Sequence, residues 1–120
     1  MLYRIWKKWL VRRELRKSGY ARKYGWYIEY KGEVIGSLEN CQYYDMFWDR
    51  YEIIATDEKY YTYLHNHTLW LYSTFTLKSK HYNIAPEYYI ISEMNFLDQD
   101  DKFVVIRALY LTEEQFIHWI

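Results

Sequence analysis

Residues 24–38 read YGWYIEYKGEVIGSL, and the fold class turns on how this stretch is parsed. Trp26, Ile28 and Tyr30 alternate with Tyr27, Glu29 and Lys31, and after Lys31-Gly32 the alternation resumes through Val34, Gly36 and Leu38. A period of two interrupted by a Gly-containing pair is the pattern of a β-hairpin, because successive side chains on a strand point to opposite faces. The body of the chain is therefore expected to be a sheet.

Upstream the period changes. Leu2, Ile5, Trp6, Trp9 and Leu10 recur at helical spacing, with Arg4, Lys7, Lys8 and Arg12 on the opposite side. Arg16 and Lys17 suit the negative end of the helix dipole and Gly19 suits a left-handed cap, so a helix is expected from Leu2 to Ser18. Its apolar stripe is expected to pack on the sheet.

Downstream, a loop is expected around Glu39–Gln42. The stretch YYDMFWDRY, 43–51, is then read as the start of a third strand running to Ala55, buried on both faces, with Phe47 and Trp48 in the core. Thr56-Asp57-Glu58 opens a short helix towards Asn66, and Leu69–Lys78 reads as a further strand. After an irregular segment through Pro86, residues 87–96 and 102–111 form a second hairpin around 97–101. Thr112 and Gln115 have the spacing of a capping box for a last helical turn. The expected fold is α+β: one domain over 1–120, an amphipathic N-terminal helix (1–19) on a mainly antiparallel sheet of five to six strands (24–111), and a C-terminal helical turn (112–120).

Composition limits the function classes. The chain has 120 residues, of which 51% are hydrophobic and 22% aromatic, enough apolar surface for one folded domain. The single cysteine, Cys41, excludes an internal disulfide framework and a multi-thiolate zinc site, and points to a reducing, cytoplasmic setting. No apolar run approaches the roughly 20 residues of a spanning helix. Net charge is zero, yet residues 1–23 hold nine Lys/Arg and one Glu, +8, against seven Lys/Arg and fifteen Asp/Glu, −8, in the remainder. The chain is a charge dipole along its length.

The combination Tyr30-Lys31-Gly32-Glu33-Val34-Ile35-Gly36-Ser37-Leu38, then Asp45-Met46-Phe47-Trp48 with Tyr51, and finally Arg107-Ala108-Leu109-Tyr110-Leu111 resembles a pattern of small uncharacterised bacterial domains. The resemblance covers the β-rich region and implies an α+β domain. It carries no catalytic residue or ligand.

Candidate sites are few. Arg4, Lys7, Lys8, Arg12, Arg13 and Arg16 could bind an acidic partner, nucleic acid or an anionic membrane; the competing reading is a packed apolar stripe whose cations are a solvated ridge. Tyr43, Tyr44, Tyr60, Tyr61 and Tyr63 are candidates for a protein interface, since tyrosine supplies rigid amphipathic contact area, although some of the sixteen tyrosines must be core residues. His65-Asn66-His67 would put two imidazoles on one face if extended, but two ligands make no metal site, and His81 and His118 stand at no recognisable spacing. Asp45, Asp49 and Glu52, and Asp98, Asp100 and Asp101, are acidic groupings more simply read as strand ends and a hairpin turn. No nucleophile motif, phosphate loop or dinucleotide fingerprint is present, and no cofactor or catalytic residue is implied. The leading expectation is a noncatalytic protein-binding module, self-associating or immunity-like, with a protein partner or a second copy. The alternative is a peripheral anion binder acting through the basic helix, and the third reading is a small enzyme.

Overall fold

The computed structural model describes residues 2–72, 74–92, 97–98 and 102–119, with side chains for 4–72, 74–92 and 102–117. Helix α1 (Leu2–Ser18) leads through a 3₁₀ turn (Arg22–Tyr24) into strands β1 (Trp26–Tyr30), β2 (Glu33–Asp45) and β3 (Trp48–Ala55). A 3₁₀ turn (Glu58–Tyr60) and helices α2 (Tyr61–Leu64) and α3 (His67–Leu71) follow, then β4 (Thr76–Ser79), β5 (Ile90–Ile91), β6 (Leu97–Asp98), β7 (Phe103–Arg107) and α4 (Glu113–Trp119). The sheet order is β4-β1-β2-β3-β7-β5, with β6 also pairing β7, and every pairing is antiparallel. The α+β architecture is as expected.

The hairpin that decides the fold has the expected turn. Lys31 and Gly32 both sit at positive φ, +52° and +81°, between paired Tyr30 and Glu33, the geometry that matches the right-handed twist of the flanking strands. Pairing then fixes which alternate residues face inward. Trp26 and Ile28 lie opposite Leu38 and Gly36, Leu38 opposite Ile53, Tyr51 opposite Val104, and Asp49 opposite Ile106. Trp26, Ile28, Leu38, Tyr51, Val104 and Ile106 are fully buried. They form one cluster with Val11 and Leu15 of α1, Leu64 and Trp70 of the short helices, and Phe116 of α4. The buried indole N–H of Trp70 donates to Leu64 O at 2.7 Å, satisfying a polar group that would otherwise be costly to bury.

On the opposite face Trp48, Arg50, Glu52 and Ile54 of β3 are none of them buried, although Val105 of β7 is, which corrects the expectation of a third strand buried on both sides. Arg50 donates to Gln42 and lies over the Phe103 ring, Asn40 donates to Glu52, and Lys78 pairs with Glu29. The charged alternates of β1 and β3 thus find a neutral partner on β2 or a lysine on β4.

Three boundaries shift. The expected loop at Glu39–Gln42 is a bulge, with Asn40 at φ +52° and a register shift, so β2 continues through it to Asp45. The turn falls instead at Met46-Phe47, where Asp45 Oδ1 accepts the Met46 N–H and Phe47 takes φ +65°. YYDMFWDRY is therefore a hairpin tip, and Phe47, 71% exposed, and the half-buried Trp48 are not core residues. Leu69–Leu71 are helical, because the Asn66 side chain accepts the Leu69 N–H and caps α3; only Thr76–Ser79 of the expected strand is extended. The same cap separates His65 from His67, so the histidines are not an extended same-face pair.

Other local signals hold. Asp57 caps the 3₁₀ turn that precedes α2, and Thr112 and Gln115 exchange both bonds of a capping box, Thr112 N–H to Gln115 Oε1 at 3.0 Å and Gln115 N–H to Thr112 Oγ1 at 3.3 Å. Gly19 sits at φ +62°, and Tyr20 N–H donates to Leu15 O, closing α1. β5, within the expected first strand of the second hairpin, pairs with β7, but Leu97–Asp98, expected in the loop, are instead the strand β6 paired with Val104 and Phe103. The rest of that loop, 99–101, lies outside the described residues, as do the side chains of Leu2, Asp98 and His118.

Helix α1 meets the core with a different stripe from the one expected. Val11, Leu15 and Ser18 are buried, whereas Ile5, Trp6 and Trp9 are 66%, 59% and 55% exposed. Two stripes of helical period overlap in this sequence, and α1 packs against α4 and the Arg22–Tyr24 turn, which select the C-terminal stripe. Glu14 accepts the Tyr82 hydroxyl proton on the same side, and Tyr82 stacks edge-on against Phe116.

Gly36 lies where β2 passes closest to α2. A Cβ there would meet Ile54 O at 2.8 Å and Leu64 Cδ1 at 2.9 Å, while one at Gly32 would meet nothing within 4 Å. Gly36→Ala is expected to cost about 1–3 kcal/mol by overpacking. Gly32→Ala is expected to cost only the left-handed backbone penalty, roughly 1 kcal/mol. Urea denaturation of both variants, with unchanged slope, measures the difference.

Candidate functional site

Three surfaces carry the sequence-selected residues, and the outward side of α1 is the first. At 3.6 residues per turn, Trp6, Trp9, Arg13 and Arg16 fall at spacings of three, four and three and form one line, with Ile5 beside it. All five are exposed, and the Arg13 guanidinium lies 5.4 Å from the centre of the Trp9 ring. The remaining basic residues are elsewhere. Arg12 Nε pairs with Glu113 Oε1 of α4 at 3.1 Å, and Arg4, Lys7 and Lys8 border a hollow of about 420 Å³ together with Ile117. The six cations therefore do not form one ridge: three turn towards α4, one is paired, and two share the outer line with the tryptophans.

A second surface is a cleft of about 410 Å³ at the end of the sheet where the β2–β3 turn, β5 and the end of β7 converge. Its charged groups are Arg22, Asp49 and Arg107, and its rings are Tyr43, Phe47, Trp48, Tyr88 and Tyr110. Strand pairing builds it: Trp48, Arg107 and Ile90 are direct cross-strand partners, and Tyr43 is opposite Asp49. Arg22 enters from the turn after α1, with Nε 3.5 Å from Asp49 Oδ2 and its guanidinium over Tyr110. That contact is an ion pair without a well-directed hydrogen bond, since the buried Nε–H donates none. Arg107 lies over the Phe47 ring at 5.5 Å and has no carboxylate partner among the described residues.

Behind Asp49 the groups are partly buried, Tyr51 fully so. Burial raises the Asp49 carboxyl, with Arg22 opposing the shift, and burial likewise pushes up the Cys41 thiol, which lies near both. Burial, then the Cys41 thiol, hold the Tyr51 phenol well above its usual value. Cys41 is thus a thiol kept protonated by its surroundings, with no feature of an activated nucleophile.

The interface tyrosines divide into two groups. Tyr43, 76% exposed, and the half-buried Tyr44 belong to the hairpin tip. Tyr60 donates to Glu33 at 2.7 Å, Tyr63 stacks on Tyr30, and Tyr61 stacks on His65, all at the far end of β2. Twelve strand steps separate those ends, roughly 35–40 Å at about 3.3 Å per residue. Asp45 and Glu52 likewise do not join Asp49: Asp45 caps the turn and Glu52 accepts from Asn40 on the outer face. Among the described residues no group of three or more His, Cys, Asp or Glu could hold a metal ion.

No family model, curated protein or solved structure matches the chain. The site is therefore argued from its own geometry. The cleft itself was missed in the sequence, where Arg22, Arg107, Tyr88 and Tyr110 stand apart. The one available signal was that two quoted stretches, Asp45–Trp48 and Arg107–Leu111, end at the same edge.

The raised groups imply an alkaline limb of stability. Burial lifts Tyr89, whose hydroxyl donates to Phe75 O, to about 12, and lifts Tyr51 and Cys41 in the same direction from 10.0 and 9.0. A group with a folded pKa above its unfolded value stabilises fully below the unfolded pKa, and that contribution is lost as pH rises through the folded pKa. Urea stability is expected to fall from about pH 9 to pH 12, and Tyr89→Phe is expected to make the fall shallower. An unchanged slope in Tyr89→Phe would remove Tyr89 from the explanation.

Proposed function

We propose that this protein is a binding module that docks on anionic membrane surfaces through the outward line of α1. The observation that carries this reading is the exposure of Ile5, Trp6 and Trp9 in line with Arg13 and Arg16. A helix lying in the headgroup region places aliphatic side chains at the acyl boundary, indole rings at the interface and cations on lipid phosphates. No helix among the described residues is long and apolar enough to cross a bilayer, so attachment through α1 is at the surface.

Self-association through the same line is the competing reading, since an antiparallel two-fold contact would set Trp6 and Trp9 of one copy on Arg16 and Arg13 of the other. Sedimentation equilibrium of the free protein is expected to give a monomer. Nucleic acid phosphate would engage the arginines but gives Ile5 no apolar partner. A protein partner is the second reading, and it rests on Tyr61, Tyr63, Leu71 and Tyr72, which are all exposed on α2 and α3 and their flank.

Cosedimentation with vesicles of mixed phosphatidylserine and phosphatidylcholine is the test. Binding is expected to weaken with salt and to disappear with phosphatidylcholine alone. Arg13→Glu with Arg16→Glu should weaken it by more than about tenfold, at about 1 kcal/mol for each cation near the surface. Trp6→Ala with Trp9→Ala should weaken it while leaving the salt dependence in place. Retention of single-stranded RNA without vesicle binding would replace the membrane by nucleic acid, and binding insensitive to both pairs of substitutions would remove α1 from the function.

A further inference from the structure

We infer that the cleft between the β2–β3 turn and the end of β7 is a binding site for a small planar aromatic anion of the nucleoside monophosphate class. The inference is independent of α1 and uses none of the residues proposed for the membrane.

Charge comes first. Two guanidiniums and one carboxylate line the cleft, leaving one net positive charge, and it resides on Arg107, which has the Phe47 ring and, among the described residues, no carboxylate against it. Arg22 Nε faces Asp49, but the side chain is 35% exposed, so the outer end of a second guanidinium is within reach of the same place. Planar guanidinium forks bind phosphate oxygens in pairs, and they do so more strongly where rings and backbone exclude water.

Shape is the second ground. The volume, about 410 Å³, is that of a small-molecule site, and aromatic rings make up half of the lining residues beside the three charged groups. Phe47 and Tyr88 remain 71% and 59% exposed at its mouth, where their faces can hold a flat ring.

Backbone strain is the third. Phe47 and Ala108, two of seven non-glycine residues at positive φ among the described residues, both line the cleft, at +65° and +63°. Left-handed backbone is unfavourable for a residue with a Cβ, and such positions persist where surrounding structure holds them for use. At Phe47 the strained residue is also a large apolar ring held out in water, which folding alone does not reward. A glycine at this turn would fold with less strain and would present no ring.

That last point supplies the test. Adenosine monophosphate, adenosine and inorganic phosphate are titrated into the full chain, followed by amide chemical shifts and tryptophan fluorescence. Saturable shifts confined to the cleft are expected with the monophosphate, with adenosine and phosphate each weaker by about tenfold or more. Arg107→Gln should lower monophosphate affinity by about tenfold while leaving adenosine affinity unchanged. Phe47→Gly should weaken both nucleoside ligands and raise the melting temperature, a combination that a purely structural Phe47 would not give. Arg13→Glu with Arg16→Glu should leave monophosphate binding intact, which separates the cleft from general attraction to α1.

A short single-stranded oligonucleotide distinguishes sources of the same chemistry. If it binds through Arg107 and Phe47 far more tightly than the free monophosphate, the ligand is a nucleotide within a strand; if it does not, the free nucleotide is the ligand. Absence of saturable cleft shifts up to about 10 mM, weaker than any specific affinity of interest, would overturn the inference. So would shifts confined to α1, or a Phe47→Gly variant that is less stable than the parent.

Discussion

Burial of one row of side chains, from Trp26 and Ile28 through Leu38 and Tyr51 to Val104 and Ile106, is the constraint on which the rest of the structure depends. Strand periodicity of two means that once this row turns inward, every alternate residue must turn out. Arg50, Glu52 and Glu29 are thereby committed to the wet face, where they find a neutral partner on β2 or a lysine on β4. Asp49 is the exception. It belongs to the inward row but stands at its open end, where Arg22 can reach it. A charged group is tolerated on that row only because the sheet stops there.

The lopsided charge of the chain is used sparingly. Arg12 with Glu113 and Arg22 with Asp49 join the basic N-terminal region to the acidic body, but the first pair is exposed, and exposed pairs contribute little beyond orientation. Packing holds α1 in place: Val11 and Leu15 enter the core, and Tyr82 bridges Glu14 to Phe116. Arg13 and Arg16 of the outer line, which have no carboxylate partner among the described residues, are then exposed to solvent.

The two proposed surfaces differ in how they are built. The α1 line follows from helical geometry alone and needs no partner element to align its residues. The cleft needs four segments, and the β2–β3 turn and the end of β7 each accept a left-handed residue to form it. Tyrosines at opposite ends of β2 cannot act as one interface, because a strand of thirteen residues stands between them.

The sequence by itself determined the elements whose causes are local. Lys31-Gly32, Gly19, the Asp57 cap and the Thr112–Gln115 box each act within a few residues, and each is found as read. Helix α1 was legible for the same reason, since its period lies in consecutive residues. Its orientation was not, because Trp6 with Trp9 and Val11 with Leu15 both have helical spacing, and only contact with α4 chooses between them. The bulge at Asn40 and the turn at Met46-Phe47 were likewise decided by pairing with β3, whose hydrogen bonds outweigh local turn signals. The cleft was the least legible feature: Arg22, Asp49, Tyr88 and Arg107 are distant in the chain, and only the tertiary register of β3 against β7 and β5 brings them to one edge.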